Sequence, residues 1–443
     1  MVGILGAGIS GLTCAYKLQK ANVPFVLLEA SDRTGGWINS TRTEDNYLLE
    51  FGPNSLLIDQ EIEGFLKEIG LTNQIIEASP NSENRFILKN GKIKQVPAKP
   101  PTLLSSSFLS MSSKLSIIKE YFRRPNNQID HSETVYDFFS RHFSEEICDY
   151  LIDPFVTGVY AGTPKNLTIQ EIFPKLHEYE QKYGSVLKGL QKEKRLQRRK
   201  TVSFKNGLQT ITDTLTKLIP TDQVLLNHQI KSISKREKKF HVICQNDATF
   251  IFDKIINCCS PIESAIFLKT VDPILSKSIA RIECPPLVLS HLVYEKKAIK
   301  SKINGFGLLF PKVEQKTLSG IIFNSEIFEH RCASDQLLMT CIIGGKGREH
   351  YLKEDDNIIC VRVKNELKEL LTVEKKPLYE HFKRHNHTIP QYNHTITDVK
   401  EKVKEYEKLG LFHATNWSNG VSLPDCIKQA NKVSKKIVDL AVF

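Results

Sequence analysis

The opening stretch of this chain constrains its fold more than any other: Val2-Gly-Ile-Leu5, then Gly6-Ala7-Gly8-Ile9-Ser10-Gly11. A short apolar strand enters a Gly-x-Gly-x-x-Gly turn and a helix follows from Gly8 through Lys20. The apolar run Phe25-Val-Leu-Leu28 then ends on Glu29. Each part has a physical job in a nucleotide-binding βαβ unit. Gly6 makes the tight turn, Gly8 lets the backbone approach a pyrophosphate, and Gly11 lets helix and strand pack closely. Glu29 can take both ribose hydroxyls, and the helix directs the positive end of its dipole at the phosphates. A glycine-rich turn between ordinary elements would not account for an acid at that distance. The stretch therefore predicts dinucleotide binding and leaves NAD and FAD open.

A second glycine pair decides between them. Past Glu29-Ala30 come Arg33-Thr34-Gly35-Gly36-Trp37, and then Glu50-Phe51-Gly52-Pro53-Asn54-Ser55. Gly-Gly at this position gives a second close approach of backbone to cofactor. It resembles the extension found in FAD-binding flavoproteins and is similar to the flavin amine oxidase superfamily, which implies FAD.

A chain of 443 residues is long enough for two or three domains with real cores. With 40% hydrophobic and 25% charged residues, it reads as an ordinary soluble globular protein. The first strand starts at Met1 or Val2, so no signal or transit peptide is expected, and a cytoplasmic location follows. The ten cysteines show no Cys-x-x-Cys pair, and Cys258-Cys259 fall on an expected buried strand. Reduced, packed thiols fit better than disulfides or zinc.

The net charge of +11 and pI near 9.0 could serve a nucleic acid, an anionic membrane surface or an acidic small substrate. The densest basic run holds Lys188, Lys192, Lys194, Arg195, Arg198, Arg199 and Lys200. No aromatic interleaving accompanies it, so no nucleic acid is expected. A solvated loop or helix face is the bland reading, and attraction to an anionic bilayer is its main rival. Pro100 to Ser113 is uncharged but short of the ~20 apolar residues a span needs. Peripheral contact, at the inner face of the cytoplasmic membrane, would use Leu103-Leu104, Phe108-Leu109 and Met111, with Lys114, Lys119, Arg123 and Arg124 nearby. A helix packed on its own domain would explain the same pattern.

The chain alternates between three kinds of segment. Residues 1–75 read as βαβ and a helix, 101–203 as mostly helical, and 204–262 return to strand signals. The expected fold is α/β: a Rossmann-like FAD-binding domain with a mixed-sheet substrate domain and a helical insertion. We assign residues 1–75, 204–262 and 405–443 to the FAD domain, 76–100 and 263–404 to the substrate domain, and 101–203 to the helical, membrane-associating part.

From end to end the chain resembles the protoporphyrinogen oxidase branch of the flavin amine oxidase superfamily, of amine oxidase and p-hydroxybenzoate hydroxylase-like architecture. The blocks that carry the resemblance are Asp153-Pro-Phe-Val-Thr-Gly158-Val-Tyr-Ala-Gly162, Phe204-Lys-Asn-Gly207-Leu-Gln-Thr210, Gly305-Phe-Gly307-Leu-Leu309-Phe-Pro311, Ser319-Gly-Ile-Ile322, Ile389-Pro-Gln-Tyr392 and Gly420-Val-Ser-Leu-Pro-Asp425. The resemblance implies oxidation of protoporphyrinogen IX to protoporphyrin IX in haem biosynthesis, by three two-electron hydride transfers to flavin. Oxygen or another acceptor would reoxidise the flavin. Coproporphyrinogen III is a rival substrate, and ferrochelatase, a membrane surface and a second copy of the chain are candidate partners.

Carried over position by position, the FAD contacts are Gly6, Ala7, Gly8, Ile9, Ser10, Gly11, Glu29, Ala30, Trp37, Gly52, Pro53, Asn54 and Ser55. The set continues with Ile230 (backbone to adenine), Asn416, Val421, Ser422 and Leu423. The helix after Ser422 is expected to point its N-terminus at the flavin. Arg85 matches the propionate-binding arginine, since a guanidinium grips a carboxylate bidentately. Leu309, Ile322 and Ile342 match the positions that sandwich the rings, and Gly158 the backbone near the reacting edge. Ile342 departs from plant-type members, which carry an aromatic there. No side chain is nominated as a catalytic base. His385, His387 and His394 lack a matched carboxylate or cysteine, so no metal is expected. Lys383 and Arg384 read as solvated or substrate-mouth cations. An amine oxidase or desaturase is a further alternative, but amine oxidases carry an aromatic cage and Trp417 stands alone here.

Overall fold

The computed structural model describes residues 1–97, 100–125, 132–193, 199–301 and 303–440. Lys194, Arg195 and Arg198 of the basic run lie outside them. The chain divides into two compact units. The first joins Met1–Glu77, Arg198–Glu283 and Thr395–Phe443; the second joins Ala78–Gln197 and Cys284–His394.

In the first unit a five-stranded sheet runs in the order Val224–Leu225, Phe25–Leu28, Val2–Leu5, Lys254–Asn257, Leu411–His413. Every pairing is parallel. Strands buried on both faces must be apolar throughout, which is why Val2–Leu5 shows no alternation. Ile4, Leu27, Ile256 and Phe412 share one core with Leu12 and Ala15 of helix Ile9–Lys20 and with Ala430 and Val433 of helix Leu423–Asp439. The unit also holds a three-stranded antiparallel sheet, Ile230–Arg236, Lys239–Cys244 and Thr249–Phe252, a second one of Leu56–Ile58, Lys200–Phe204 and Ile75–Glu77, and a two-stranded pair, Ser40–Arg42 and Leu48–Glu50. The Phe252 ring lies over Gly3, where any Cβ would fall 2.4 Å from it, so a side chain at position 3 is excluded. Cys258 and Cys259 are not on the strand, as the sequence suggested; it ends at Asn257, and both follow its C-terminal end.

The second unit is built on a seven-stranded sheet: Tyr379–His385, Leu287–Glu295, Gln336–Gly344, Leu318–Ile322, Gly307–Leu309, Arg85–Lys89, Lys92–Gln95. Only the Gly307–Leu309 and Arg85–Lys89 pair is parallel. Alternation assigns the faces. Leu308, Ile321, Cys341 and Ile343 point to one side and pack with Ile359, Val363, Leu367 and Leu371 of helix Asp356–Leu371. The helical stretch belongs to this same unit. It includes helices Met111–Tyr121, Val135–His142, Asp153–Tyr160, Pro174–Tyr183 and Val186–Lys192. The uncharged segment from Pro100 is not one element: helix Pro100–Ser105 stops, and Ser110 caps the next helix by accepting from the Ser113 amide. No helix of the described residues is long and apolar enough to cross a membrane.

Candidate active site

The first unit holds a glycine-lined cradle. Gly6 has φ +94°, a left-handed conformation that costs glycine nothing. A Cβ on Gly11 would lie 1.9 Å from the Gly6 carbonyl oxygen, so helix Ile9–Lys20 can start this close to the first strand only with glycine there. Gly35 donates to the Ala7 carbonyl at 2.8 Å, and Gly36 sits against Gly8, where its Cβ would approach the Gly8 Cα to 3.1 Å. Glycines of two loops, Gly8 and Gly35-Gly36, thus meet at the end of the helix. That end has no side-chain cap at Gly8 and no acid in its first turn, so its first amides are left for water or an anion.

Glu29 sits beside the cradle. The Ala7 amide donates to its Oε2 at 2.7 Å, while the Ser31 amide and hydroxyl donate to Oε1 at 2.9 and 2.8 Å. Oε2 keeps a lone pair for a ribose hydroxyl, while Ser31 occupies both acceptor sites of Oε1. The His228 amide donates to the Glu29 carbonyl at 2.7 Å and the Asn227 amide to the Ser31 carbonyl at 2.9 Å, two residues ahead of strand Ile230–Arg236. A Cβ on Gly52 would fall 1.9 Å from the Trp37 carbonyl oxygen, so the 52–55 turn is pressed against the Gly35–Trp37 loop.

Sequence reading gave Arg33 no role. Its guanidinium donates to the carbonyls of Thr34, Gly36 and Ile38, at 3.1, 2.7 and 3.2 Å, and so holds the second glycine loop in shape. The arginine was visible in the motif, but which carbonyls it ties was not.

Asn416 and Val421 to Leu423 lie at the C-terminal end of the unit, between strand Leu411–His413 and the last helix. Ser422 and Asp425 form a reciprocal capping box at the start of that helix, and Asp425 puts a carboxylate in its first turn. Behind Asn416, Asn257 Nδ2 meets His413 Nδ1 at 3.2 Å, the His413 ring packs on Trp417 at 5.4 Å, and Trp417 Nε1 donates to the Cys259 carbonyl at 3.0 Å.

Burial pushes His413 down to about 3 from the ordinary 6.5. Its folded-state value is depressed, so the unfolded chain takes up the proton first and acid favours unfolding. Stability is expected to fall as pH drops from about 6.5 toward about 3. The His413 contribution to the slope is at most about 1.4 kcal/mol per pH unit. Thermal melts across that range should show a shallower slope for His413→Asn than for the parent; equal slopes would remove His413 from the account.

The second unit holds an apolar face with one fixed cation. Arg85 is level with Gly307, Gly307 with Ile322, and Ile322 with Thr340; Ile87, Leu309, Gly320 and Ile342 form the next row. Both rows point away from the helix-covered core. On the core side Leu308, Ile321, Cys341 and Ile343 are 0–1% exposed, whereas Leu309, Ile322 and Ile342 are only half-buried. Gly158, exposed on helix Asp153–Tyr160, abuts Leu309: its Cβ would lie 3.2 Å from Leu309 Cδ2. The sheet register thus brings together Arg85, Leu309, Ile322 and Ile342, and packing adds Gly158.

The Arg85 guanidinium stacks over the Phe306 ring at 4.1 Å and donates to the Ser82 carbonyl. The side chain is exposed but held in one place, with donors to spare for a carboxylate. Gly320, which sequence reading quoted without a role, leaves a shallow gap between Leu309 and Ile342. Lys383 and Arg384 do not act as a pair. Arg384 turns to the core side, donating to the Leu352 carbonyl at 2.7 Å and pairing with Asp356. Lys383 is exposed and level with Leu289, which is level with Ile342.

No ionisable side chain in this set has the look of a base. Several thiols are also held protonated: burial pushes Cys426 up to about 12 and Cys148 to about 11, and also raises Cys258, Cys259 and Cys341. Among the described residues, one group of ligand atoms is close enough to share a metal ion: Glu133, His177 and Glu180. Arg141 already serves both acids, reaching Glu133 at 2.8 Å and Glu180 at 2.7 Å. Burial opposes charge on Glu180, but hydrogen bonds from Arg141 and His142 win and bring it down to about 2. A guanidinium fills the role a cation would have.

The model of one protein family, the flavin containing amine oxidoreductases, matches residues 9–438. The chain belongs to that family. As a flavin amine oxidoreductase it takes FAD, and the glycine cradle fits the group: the helix end is uncapped at Gly8, Gly8 and Gly36 put no side chain beside it, and Glu29 is tied to Ala7 in the same turn. The chain is 29% identical to the mitochondrial protoporphyrinogen oxidase of Nicotiana tabacum, over 95% of this chain and 91% of that protein. It is 24% identical to the coproporphyrinogen III oxidase of Staphylococcus aureus, over 99% and 98%. A solved structure of a candidate protoporphyrinogen oxidase from an Exiguobacterium species shares the fold of this flavin amine oxidoreductase. Its TM-score is 0.82 at 20% identity, over 99% of this chain and 98% of that one.

Proposed function

We propose that this flavin amine oxidoreductase oxidises a porphyrinogen of haem biosynthesis to the aromatic porphyrin, protoporphyrinogen IX to protoporphyrin IX, with oxygen as the final electron acceptor. When bound, FAD supplies the hydride acceptor for three successive two-electron oxidations. The protein has to hold a large flat reduced macrocycle still and keep water away, since aromatisation supplies the driving force. The carrying observation is the half-buried aliphatic face of Leu309, Ile322 and Ile342 with Arg85 fixed at its rim. Ring carbons lie on the aliphatics; a propionate arm accepts from the spare Arg85 donors. Gly158 lets the macrocycle approach the helix backbone without a side chain between. The names of the tobacco and staphylococcal relatives point the same way.

Coproporphyrinogen III is the second reading, because Lys383 sits on that same sheet face with no carboxylate partner among the described residues. A substrate with four carboxylates could use it where one with two would not. Peripheral attachment to the inner face of the cytoplasmic membrane and hand-over of product to ferrochelatase belong to the same proposal.

Anaerobic mixing with each porphyrinogen tests it. Flavin absorbance should bleach while a porphyrin Soret band appears, and admitting oxygen should restore the flavin. A yellow protein that neither substrate reduces would end the proposal. The ratio of kcat/KM for the two substrates then chooses between them.

A further inference from the structure

Gly158 is one of three neighbours on helix Asp153–Tyr160 that stay uncovered. At about 100° per residue, Phe155 and Val159 fall about 60° and 100° to one side of Gly158, while Asp153, Pro154, Val156 and Thr157 fall behind it or to the other side. Those four are buried, whereas Phe155 is 45% and Val159 40% exposed. The helix therefore has one open arc, and Gly158 is its edge. Leu309 marks that edge, since its Cδ2 lies 3.2 Å from where a Gly158 side chain would start. The open arc begins where the helix borders the half-buried face of Leu309, Ile322 and Ile342.

A half-exposed phenylalanine on a helix needs no explanation by itself. This one is braced. Its ring stacks on Phe173 at 5.8 Å with 29° between the planes, and Phe173 meets Phe139 edge to face at 5.6 Å. Phe139 is buried on helix Val135–His142. A file of three rings thus runs from the core of the helical part out to Phe155, and the outermost ring keeps part of its surface open.

The chemistry of the macrocycle gives such a ring something to do. A porphyrinogen is four pyrroles joined by saturated methylene carbons, so it is puckered and has no continuous π surface. Successive two-electron oxidations turn the methylenes into methines, and the finished porphyrin is flat and fully conjugated. Leu309, Ile322 and Ile342 are saturated and pack against either form. An aromatic ring is selective, because offset stacking adds to burial only when both partners present a π face. On the reading that this protein oxidises a porphyrinogen, we infer that Phe155 is a recognition residue for the flattened macrocycle. Its ring lies against the partly oxidised intermediates and the product and holds them more tightly than the substrate. The grip grows as the oxidations proceed, so intermediates stay in place between rounds and the porphyrin leaves slowly.

Equilibrium binding of the product separates this role from plain apolar contact. Protoporphyrin IX and coproporphyrin III are titrated in turn into the flavin-loaded full-length protein without substrate, and porphyrin fluorescence gives Kd. Phe155→Leu and Phe155→Met keep an apolar side chain but remove the π face. Each should raise the porphyrin Kd about 2- to 10-fold, while KM for the matching porphyrinogen rises by a smaller factor. Phe155→Tyr keeps the ring and should match the parent. All three variants should carry as much flavin as the parent, because the altered side chain is half-exposed. An unchanged porphyrin Kd in both the leucine and methionine variants would overturn the inference, and so would a rise in Kd matched by an equal rise in KM. A parent that neither binds porphyrin nor oxidises porphyrinogen would instead defeat the functional reading beneath it.

Discussion

Protein carrying Gly11→Ala should purify colourless. The new Cβ would sit 1.9 Å from the Gly6 carbonyl oxygen and 3.1 Å from its carbon, both of them backbone. No rotamer change relieves such a clash, so the helix start must swing away from the strand end and the cradle opens. Flavin retained after gel filtration is expected below about a tenth of the parent level, a loss of more than ~1.4 kcal/mol in binding. The matched control is Gly64→Ala, in helix Gln60–Glu68, where nothing lies within 4 Å of the added atom. That variant should keep its flavin and gain stability, of order 0.5–1 kcal/mol, because alanine is the better helix former. Equal flavin content in Gly11→Ala and parent would mean that the cradle is not where the cofactor sits.

Arg85→Ala should lower kcat/KM for the porphyrinogen by about 10- to 100-fold, the worth of one charge-assisted hydrogen bond of roughly 1.5–3 kcal/mol. Most of the change should fall on KM, since a carboxylate arm is held equally in ground state and transition state. Lysine cannot replace the fork that lies flat on Phe306, so Arg85→Lys should recover little. Porphyrin fluorescence against substrate concentration gives both constants. An unchanged KM would place the carboxylates elsewhere.

What the sequence showed depended on how local the signal was. The Gly6–Gly11 turn, Glu29 and the Gly35-Gly36 pair are written within one βαβ unit, so strand, helix and acid could all be assigned from spacing. The second unit's face was not legible in that way. Arg85, Leu309, Ile322 and Ile342 come from four strands, and only the register of the folded sheet shows that they share a side. Resemblance named those positions; it could not say that Gly320 parts two of them or that Phe306 steadies the guanidinium. Arg384 misled because neighbouring strand residues point to opposite faces: it belongs to the core side with Asp356, and Lys383 does not. The capping box at Ser422 could have been read, since serine three residues before an acid is its signature.

The protonated thiols bear on how such an enzyme survives its own turnover. If oxygen takes the electrons, every cycle releases peroxide close to the polypeptide. Peroxide attacks the sulfur anion, and a thiol held near 12, as at Cys426, presents almost none of it at neutral pH. A sulfur buried as Cys426 is should therefore be oxidised slowly by peroxide released in the unit that holds the cofactor.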